Sequence, residues 1–316
     1  MMECFITQPV HEAAIAFLNR HGITTRYASA PDMQVVIREI GGADAVITRD
    51  LGLDRNAIAA APNLKIISCH GAGTNRIDVA AAHERGITVT NAPGANSQSV
   101  AELTLGLMLA SARNICTADM AVRQGNWQCR YNAGGMELHG KTLGLVGFGT
   151  IARKVAVIAG AGLGMRVVAW SPSVPAEVFG QHGVERITEL NALLQMADVV
   201  SIHRSGSQAD RPLIDADALA NMQPHAILIN VGRGFAVDCA DLAQALETGR
   251  IRGAALDVLP QEPPPMDNPL LKAPHLVLTP HLGGTTEEAL RQLALICAHQ
   301  VLAVLSGREP EHLVSR

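Results

Sequence analysis

The sequence predicts an α/β protein made of two doubly wound parallel-sheet domains, and three observations carry that reading. Short aliphatic runs alternate with helical patterns almost from end to end. Those runs are nearly continuously apolar, as expected of strands covered on both faces of a parallel sheet. The 316 residues also exceed what one modest core organises, so two domains are expected.

The elements follow in order. ECFITQ (3–8), ADAVIT (43–48), LKIISCHG (64–71) and GITVTNA (86–92) are buried strands, each separated by a stretch of helical periodicity. After them, residues 97–125 form one long amphipathic helix closed by Gly125. Strand-like runs then resume as TLGLVGF, MRVVAWS, ADVVSIH, HAILINV, GAALDVL and HLVLTPH. A final helix opens with a Thr cap, carries Glu287 and Glu288 early, and ends at Gly307. GANSQS (94–99) is the best crossing between domains and Gly283–Gly284 the return. Residues 1–97 and 285–316 are therefore expected to form one discontinuous domain, and residues 98–284 the other.

Composition narrows the function. A net charge of -4, a pI near 6.3 and 3% aromatic residues offer neither a basic footprint nor stacking rings for nucleic acid. The start, MMECFITQP, has no basic and apolar leader, and the apolar runs LTLGLMLA and VAVIAGAGLGM are short for a bilayer. No membrane span and a cytoplasmic location are expected. Six scattered cysteines without a CxxC pair are expected to be reduced, buried thiols, and twelve histidines form no HExxH or HxxxH set, so no metal is expected.

The first chemical motif is Gly147-x-Gly149-x-x-Ala152, between a strand-like run and a helical one. Gly147 suits a tight turn, Gly149 lets backbone amides approach a pyrophosphate, and a small third residue lets helix and strand pack closely. The helix N-terminus beyond it offers free N–H groups to the phosphates. The plain alternative is a tight β–α turn with no ligand.

Three loops after strand-like runs each carry an unusual residue. LINVGRG presents Arg233 between two glycines, ALDVLPQEPPP presents Asp257 and then Glu262, and LTPHLGG presents His281. Ligands of open α/β sheets bind outside the carboxyl ends of the strands, where these residues fall. Taken singly they read as a solvated arginine, a surface glutamate and a loop histidine.

With these motifs the chain resembles the D-isomer-specific 2-hydroxyacid dehydrogenase family, which includes phosphoglycerate, hydroxypyruvate and glyoxylate reductases. The similarity runs from ITRDLGLD and LKIISCHGAGTNRID through NAPGANSQSVAE to TPHLGG. It implies a Rossmann dinucleotide-binding domain, a discontinuous flavodoxin-like substrate domain, NAD or NADP as cofactor, and a homodimer built around the long helix. The family's catalytic Arg, Glu and His fall on Arg233, Glu262 and His281. Cofactor contacts fall on Gly147, Gly149, Thr150, Ile151, Ser171, Arg204, Ser205, Val231, Gly232, Arg233, Asp257, His281, Gly283 and Gly284. Substrate contacts fall on Arg49, Gly71, Ala72 and Gly73, together with Arg233 and His281; for Arg49 a surface arginine is the easy alternative.

The implied chemistry is reduction of a small 2-oxo acid such as hydroxypyruvate or glyoxylate, or oxidation of 3-phosphoglycerate or another D-2-hydroxy acid. His281 as imidazolium would protonate the carbonyl oxygen. Glu262 would orient the ring and favour its charged form, and Arg233 would pair with the substrate carboxylate. Two alternatives remain open: a dinucleotide-sensing corepressor without turnover, and a dehydrogenase of another small acid such as formate or phosphite. Ser205 stands where the family commonly has proline and Asn75 where an acid is frequent. The chain ends soon after its last helix, so the C-terminal regulatory domain of many phosphoglycerate dehydrogenases is not expected. VVAWSPS (167–173) ends in Ser171 rather than the acid that bonds a ribose 2′-hydroxyl, which implies relaxed cofactor preference with NADP included.

Overall fold

The computed structural model describes residues 2–132, 134–204 and 211–315. The chain divides into two compact units, Met1–Asn96 with Gly284–Arg316, and Ser97–Gly283.

The first unit runs β1 (Glu3–Ile6), α1 (Glu12–Arg20), β2 (Thr24–Tyr27), α2 (Met33–Glu39), β3 (Ala45–Thr48), α3 (Arg55–Ala59), β4 (Ile66–Cys69), α4 (Val79–Glu84) and β5 (Thr88–Thr90). Its strands form a parallel sheet in the order β2-β1-β3-β4-β5, the flavodoxin-like arrangement. Asp32, Asp54 and Asp78 cap α2, α3 and α4 by accepting amides of the first turn.

The second unit begins with α5 (Ser97–Ala112) and α6 (Ile115–Arg123). The single helix expected over 97–125 is thus two. Asn114 sits in the left-handed region at φ 53° between them, and it ends α5 by turning the chain. Then come β6 (Thr142–Val146), α7 (Thr150–Leu163), β7 (Arg166–Trp170), α8 (Ala176–Gln181), β8 (Glu185–Arg186), α9 (Leu190–Met196) and β9 (Val199–Ile202). The unit closes with α10 (Ala216–Asn221), β10 (Ile227–Asn230), α11 (Cys239–Glu247), β11 (Gly253–Leu256) and β12 (Leu276–Leu278). Seven parallel strands lie in the order β12-β11-β10-β9-β6-β7-β8. The order reverses between β6 and β9, where doubly wound sheets open a ligand crevice at their carboxyl ends.

Burial on both faces explains the continuous apolar strands. In the second unit one core joins α5, α7 and α8 to one face, with Val155, Leu143, Leu145 and Phe148 in it. The other joins α9, α10 and α11 to the opposite face through Val146, Val200, Leu228 and Leu242. The first unit is layered likewise.

The chain returns to the first unit with α12 (Glu287–Leu305), capped by Thr286, whose side chain accepts the Ala289 amide at 3.2 Å. By length and composition α12 is apolar enough to cross a bilayer, with a mean hydropathy of 1.3, which the shorter runs singled out in the sequence did not reveal. Its stripe of Ala294, Cys297, Ala298 and Val301 packs with Ile6, Ile47 and Ile66 of the sheet and Leu18 of α1. All six cysteines are free, but only Cys4, Cys69 and Cys297 are buried; Cys116 is exposed, and Cys129 and Cys239 are partly so. The expectation of uniformly buried thiols is corrected accordingly: α6 and the segment after it bury nothing, and Cys239 opens α11, which buries Leu242, Ala245 and Leu246 instead.

Candidate active site

At the end of β6 the chain turns through Gly147, whose φ of 96° disfavours a side chain. A Cβ there would also lie 2.9 Å from the His203 carbonyl oxygen. Its amide donates to the Trp170 carbonyl at 2.8 Å, tying the turn to β7. Gly149 is the N-cap of α7, no side chain caps that helix, and a Cβ on Gly149 would meet nothing within 4 Å. Ala152 is fully buried, while Thr150 is exposed and Ile151 partly so. A pinned turn, an open approach and an uncapped helix N-terminus fit a dinucleotide pyrophosphate.

Two further positions flank this turn. Ser171 follows β7 and is buried, and Arg204 follows β9 with its guanidinium 5.9 Å from the centre of the Trp170 ring. Ser205 lies outside the described residues. His203, not singled out in the sequence, has Nε2 2.9 Å from Ser201 Oγ and a buried Nδ1 without a partner. Burial pushes its pKa down to about 3, so the ring is neutral near pH 7.

The three chemically unusual loops come together around Asp257, which is 2% exposed. Its carboxylate accepts the Thr279 hydroxyl at 2.6 Å and the amides of Leu282 at 2.7 Å and Gly283 at 2.9 Å. Its carbonyl accepts the His281 amide at 2.9 Å. One buried carboxylate therefore shapes the turn that carries His281, whose own φ is 56°. The His281 ring is fixed in turn, with Nδ1 2.8 Å from Glu262 Oε2, while Glu262 Oε1 accepts the Leu259 amide at 3.0 Å.

Arg233 is held by a residue the sequence reading passed over. Buried Asn230 accepts the Gly232 amide at 3.0 Å and donates to the Arg233 carbonyl at 2.9 Å, clamping the turn after β10. The half-buried Arg233 side chain donates to the Gly232 carbonyl at 2.8 Å. Val231 and Gly232 are buried beside it. Gly234 packs so closely on the chain leading to Glu262 that a Cβ there would fall 1.9 Å from the Leu259 carbonyl carbon. Asn230 and Thr279 lacked a signal, since a buried Asn or Thr at a strand end carries no motif of its own.

Residues 105–283 match the sequence model of the D-isomer specific 2-hydroxyacid dehydrogenase NAD-binding domain. The chain belongs to that family. The relatives it matches carry different substrates in their names. It is 40% identical to the D-3-phosphoglycerate dehydrogenase of Methanocaldococcus jannaschii over all of this chain and 60% of that one. It is 38% identical to the glyoxylate reductase of Thermofilum pendens over 90% of this chain and 85% of that one. The NADPH-dependent glyoxylate/hydroxypyruvate reductase of Sinorhizobium meliloti superposes with a TM-score of 0.88 at 27% identity, covering all of this chain and 98% of that one. The chain spans between 53% and 60% of the length of the phosphoglycerate dehydrogenases it matches.

In the first unit, the half-buried Arg49 donates to the Pro9 carbonyl at 2.8 Å. The loop of Gly71, Ala72 and Gly73 follows β4. Its carbonyls are taken by the Ala92 amide, the Asn91 side chain and the Cys69 thiol. No acceptor among the described residues takes the amides of Ala72 or Gly73. His70, beside them, is 7% exposed with a partnerless Nε2; burial, helped by Arg49, pushes its pKa down to about 4.

Proposed function

We propose that this chain is an NAD(P)-dependent oxidoreductase that interconverts a small 2-oxo acid and its D-2-hydroxy acid. The observation that carries this is the His281–Glu262 pair at 2.8 Å on a turn built around Asp257. When bound, the nicotinamide supplies or accepts the hydride at the substrate's second carbon. In the reducing direction protonated His281, anchored at Nδ1 by Glu262, gives the Nε2 proton to the carbonyl oxygen as charge builds there. In the oxidising direction the neutral ring takes that proton back. Arg233 spends one N–H on its own loop, and its remaining donors pair with the substrate carboxylate. Asp257 holds the His281 turn, with Val231, Gly232 and Gly283 as close-packed backbone about the site. In the first unit, the free amides of Ala72 and Gly73 with Arg49 are suited to a carboxylate.

Relatives named as glyoxylate, hydroxypyruvate and phosphoglycerate enzymes set the substrate class to try. The test is turnover, followed by nicotinamide absorbance, of glyoxylate, hydroxypyruvate, pyruvate, phenylpyruvate and phosphohydroxypyruvate with NADH and with NADPH. Reduction of at least one is expected. Retained dinucleotide binding without turnover of any would assign the chain to the sensing class instead.

The surface of the second unit supports a homodimer. α6 buries no residue, and Ile115, Met120 and Val122 are exposed on it, followed by Trp127 at 63% and Tyr131 at 73% exposure. Large apolar side chains grouped in this way mark a protein interface, and a second copy is its proposed occupant.

A further inference from the structure

The second unit holds a cation beside the glycine turn that the acid–base chemistry does not use. Arg204 lies two residues beyond β9, and β6 separates β9 from β7 in the sheet. Its guanidinium nevertheless stands 5.9 Å from the ring centre of Trp170, the last residue of β7. The side chain thus spans the carboxyl end of β6, where the glycine turn begins.

Its backbone is held from two sides. A Cβ on Gly147 would lie 3.2 Å from the Arg204 nitrogen, and one on Gly232 would lie 2.9 Å from the Arg204 oxygen. Two glycines therefore admit residue 204 between their loops, and an aromatic face orients its charge. A guanidinium seated this way costs less to order around a ligand than a freely solvated one.

The neighbouring sequence says which ligand group fits. After β7 comes Ser171-Pro172-Ser173-Val174-Pro175, with no acid before Glu177 in α8. An acid at the end of this strand bonds an adenosine ribose 2′-hydroxyl and repels a 2′-phosphate, whereas a nearby arginine accommodates the phosphate. We propose that Arg204, oriented by Trp170, binds the 2′-phosphate of NADP(H), so that the chain selects NADP(H) over NAD(H). This rests on the dinucleotide reading of the glycine turn, not on the roles given to His281 and Glu262.

The test uses adenosine 2′,5′-bisphosphate and adenosine 5′-monophosphate, which lack nicotinamide, titrated calorimetrically into the full chain. The bisphosphate is expected to bind about 10- to 100-fold more tightly, the value of a charge-assisted contact. That gap should narrow as salt is added. Arg204→Gln should bring the two affinities to within about threefold, and Arg204→Lys should restore part of the gap. Trp170→Leu should shrink it several-fold in a chain that still unfolds cooperatively. Equal affinities in the unsubstituted chain, or an unchanged gap in Arg204→Gln, would overturn the inference while leaving the dinucleotide site standing. Failure of both nucleotides to bind would overturn the site itself.

Discussion

His281 combines a left-handed backbone with a ring fixed by a carboxylate. A non-glycine residue there costs about 1–3 kcal/mol, and such strain persists only where the surroundings impose it. Asp257 imposes it through three accepted hydrogen bonds. His281→Ala is expected to lower kcat by about 10²–10⁴-fold, the range for loss of a general acid, with a smaller change in dinucleotide affinity. Steady-state kinetics with a separate binding titration check this; collapse of binding with high residual turnover would refute the role. His70 makes a second prediction. Its pKa is about 4 in the folded chain against 6.5 when exposed, so the unfolded state binds the extra proton. Its contribution is complete above pH 6.5 and is lost as pH falls towards 4, by ~3 kcal/mol in all. Urea midpoints measured between neutral and acid pH should fall more steeply for the unsubstituted chain than for His70→Gln.

At the level of elements, the site depends on loops brought within contact by residues without side chains. Gly234 lets the Arg233 turn lie against the Leu259–Pro260 backbone that leads to Glu262. Backbone cannot yield as a flexible side chain does, so Gly234→Ala should cost at least about 1–3 kcal/mol and separate the two loops. Unfolding in urea and kcat/KM should fall together; an unchanged kcat/KM would show that the loops are positioned independently of this contact. Of the strands that carry these loops, β10 and β11 were legible because they are buried and read as apolar runs, and β12, a half-buried edge strand, because Leu276–Leu278 is apolar throughout. β2 and β8 were not, since Thr24–Tyr27 and Glu185–Arg186 sit at sheet edges with exposed or half-exposed side chains. The break between α5 and α6 was also hidden. Helical periodicity continues through Asn114, and only the backbone there departs from it.

For the whole molecule, two discontinuous stretches make one unit and an uninterrupted stretch makes the other. The exposed apolar set on α6 and after it fills neither core of the second unit, which leaves it available to the second copy proposed above. Met120→Glu should therefore weaken self-association while leaving the unfolding transition of the subunit nearly unchanged, since a surface change away from special features costs within about 0.5 kcal/mol. Light scattering after size exclusion measures the first and urea unfolding the second. An association state identical to that of the unsubstituted chain would remove α6 from the interface.

By itself the sequence determined the α/β class, the parallel strands, the glycine turn and the identities of Arg233, Glu262 and His281. Each of these leaves a local mark, as an apolar run, a glycine spacing or a titratable residue just past a strand. Tertiary structure alone decided how they act together. Asp257 holds the His281 turn from 24 residues away in sequence, Asn230 clamps the Arg233 turn, and Trp170 meets the guanidinium of Arg204 across an intervening strand. Hydrogen bonds and ring contacts of this kind depend on which strand ends become neighbours. That order is set by the packing of whole helices and strands, not by any short stretch of residues.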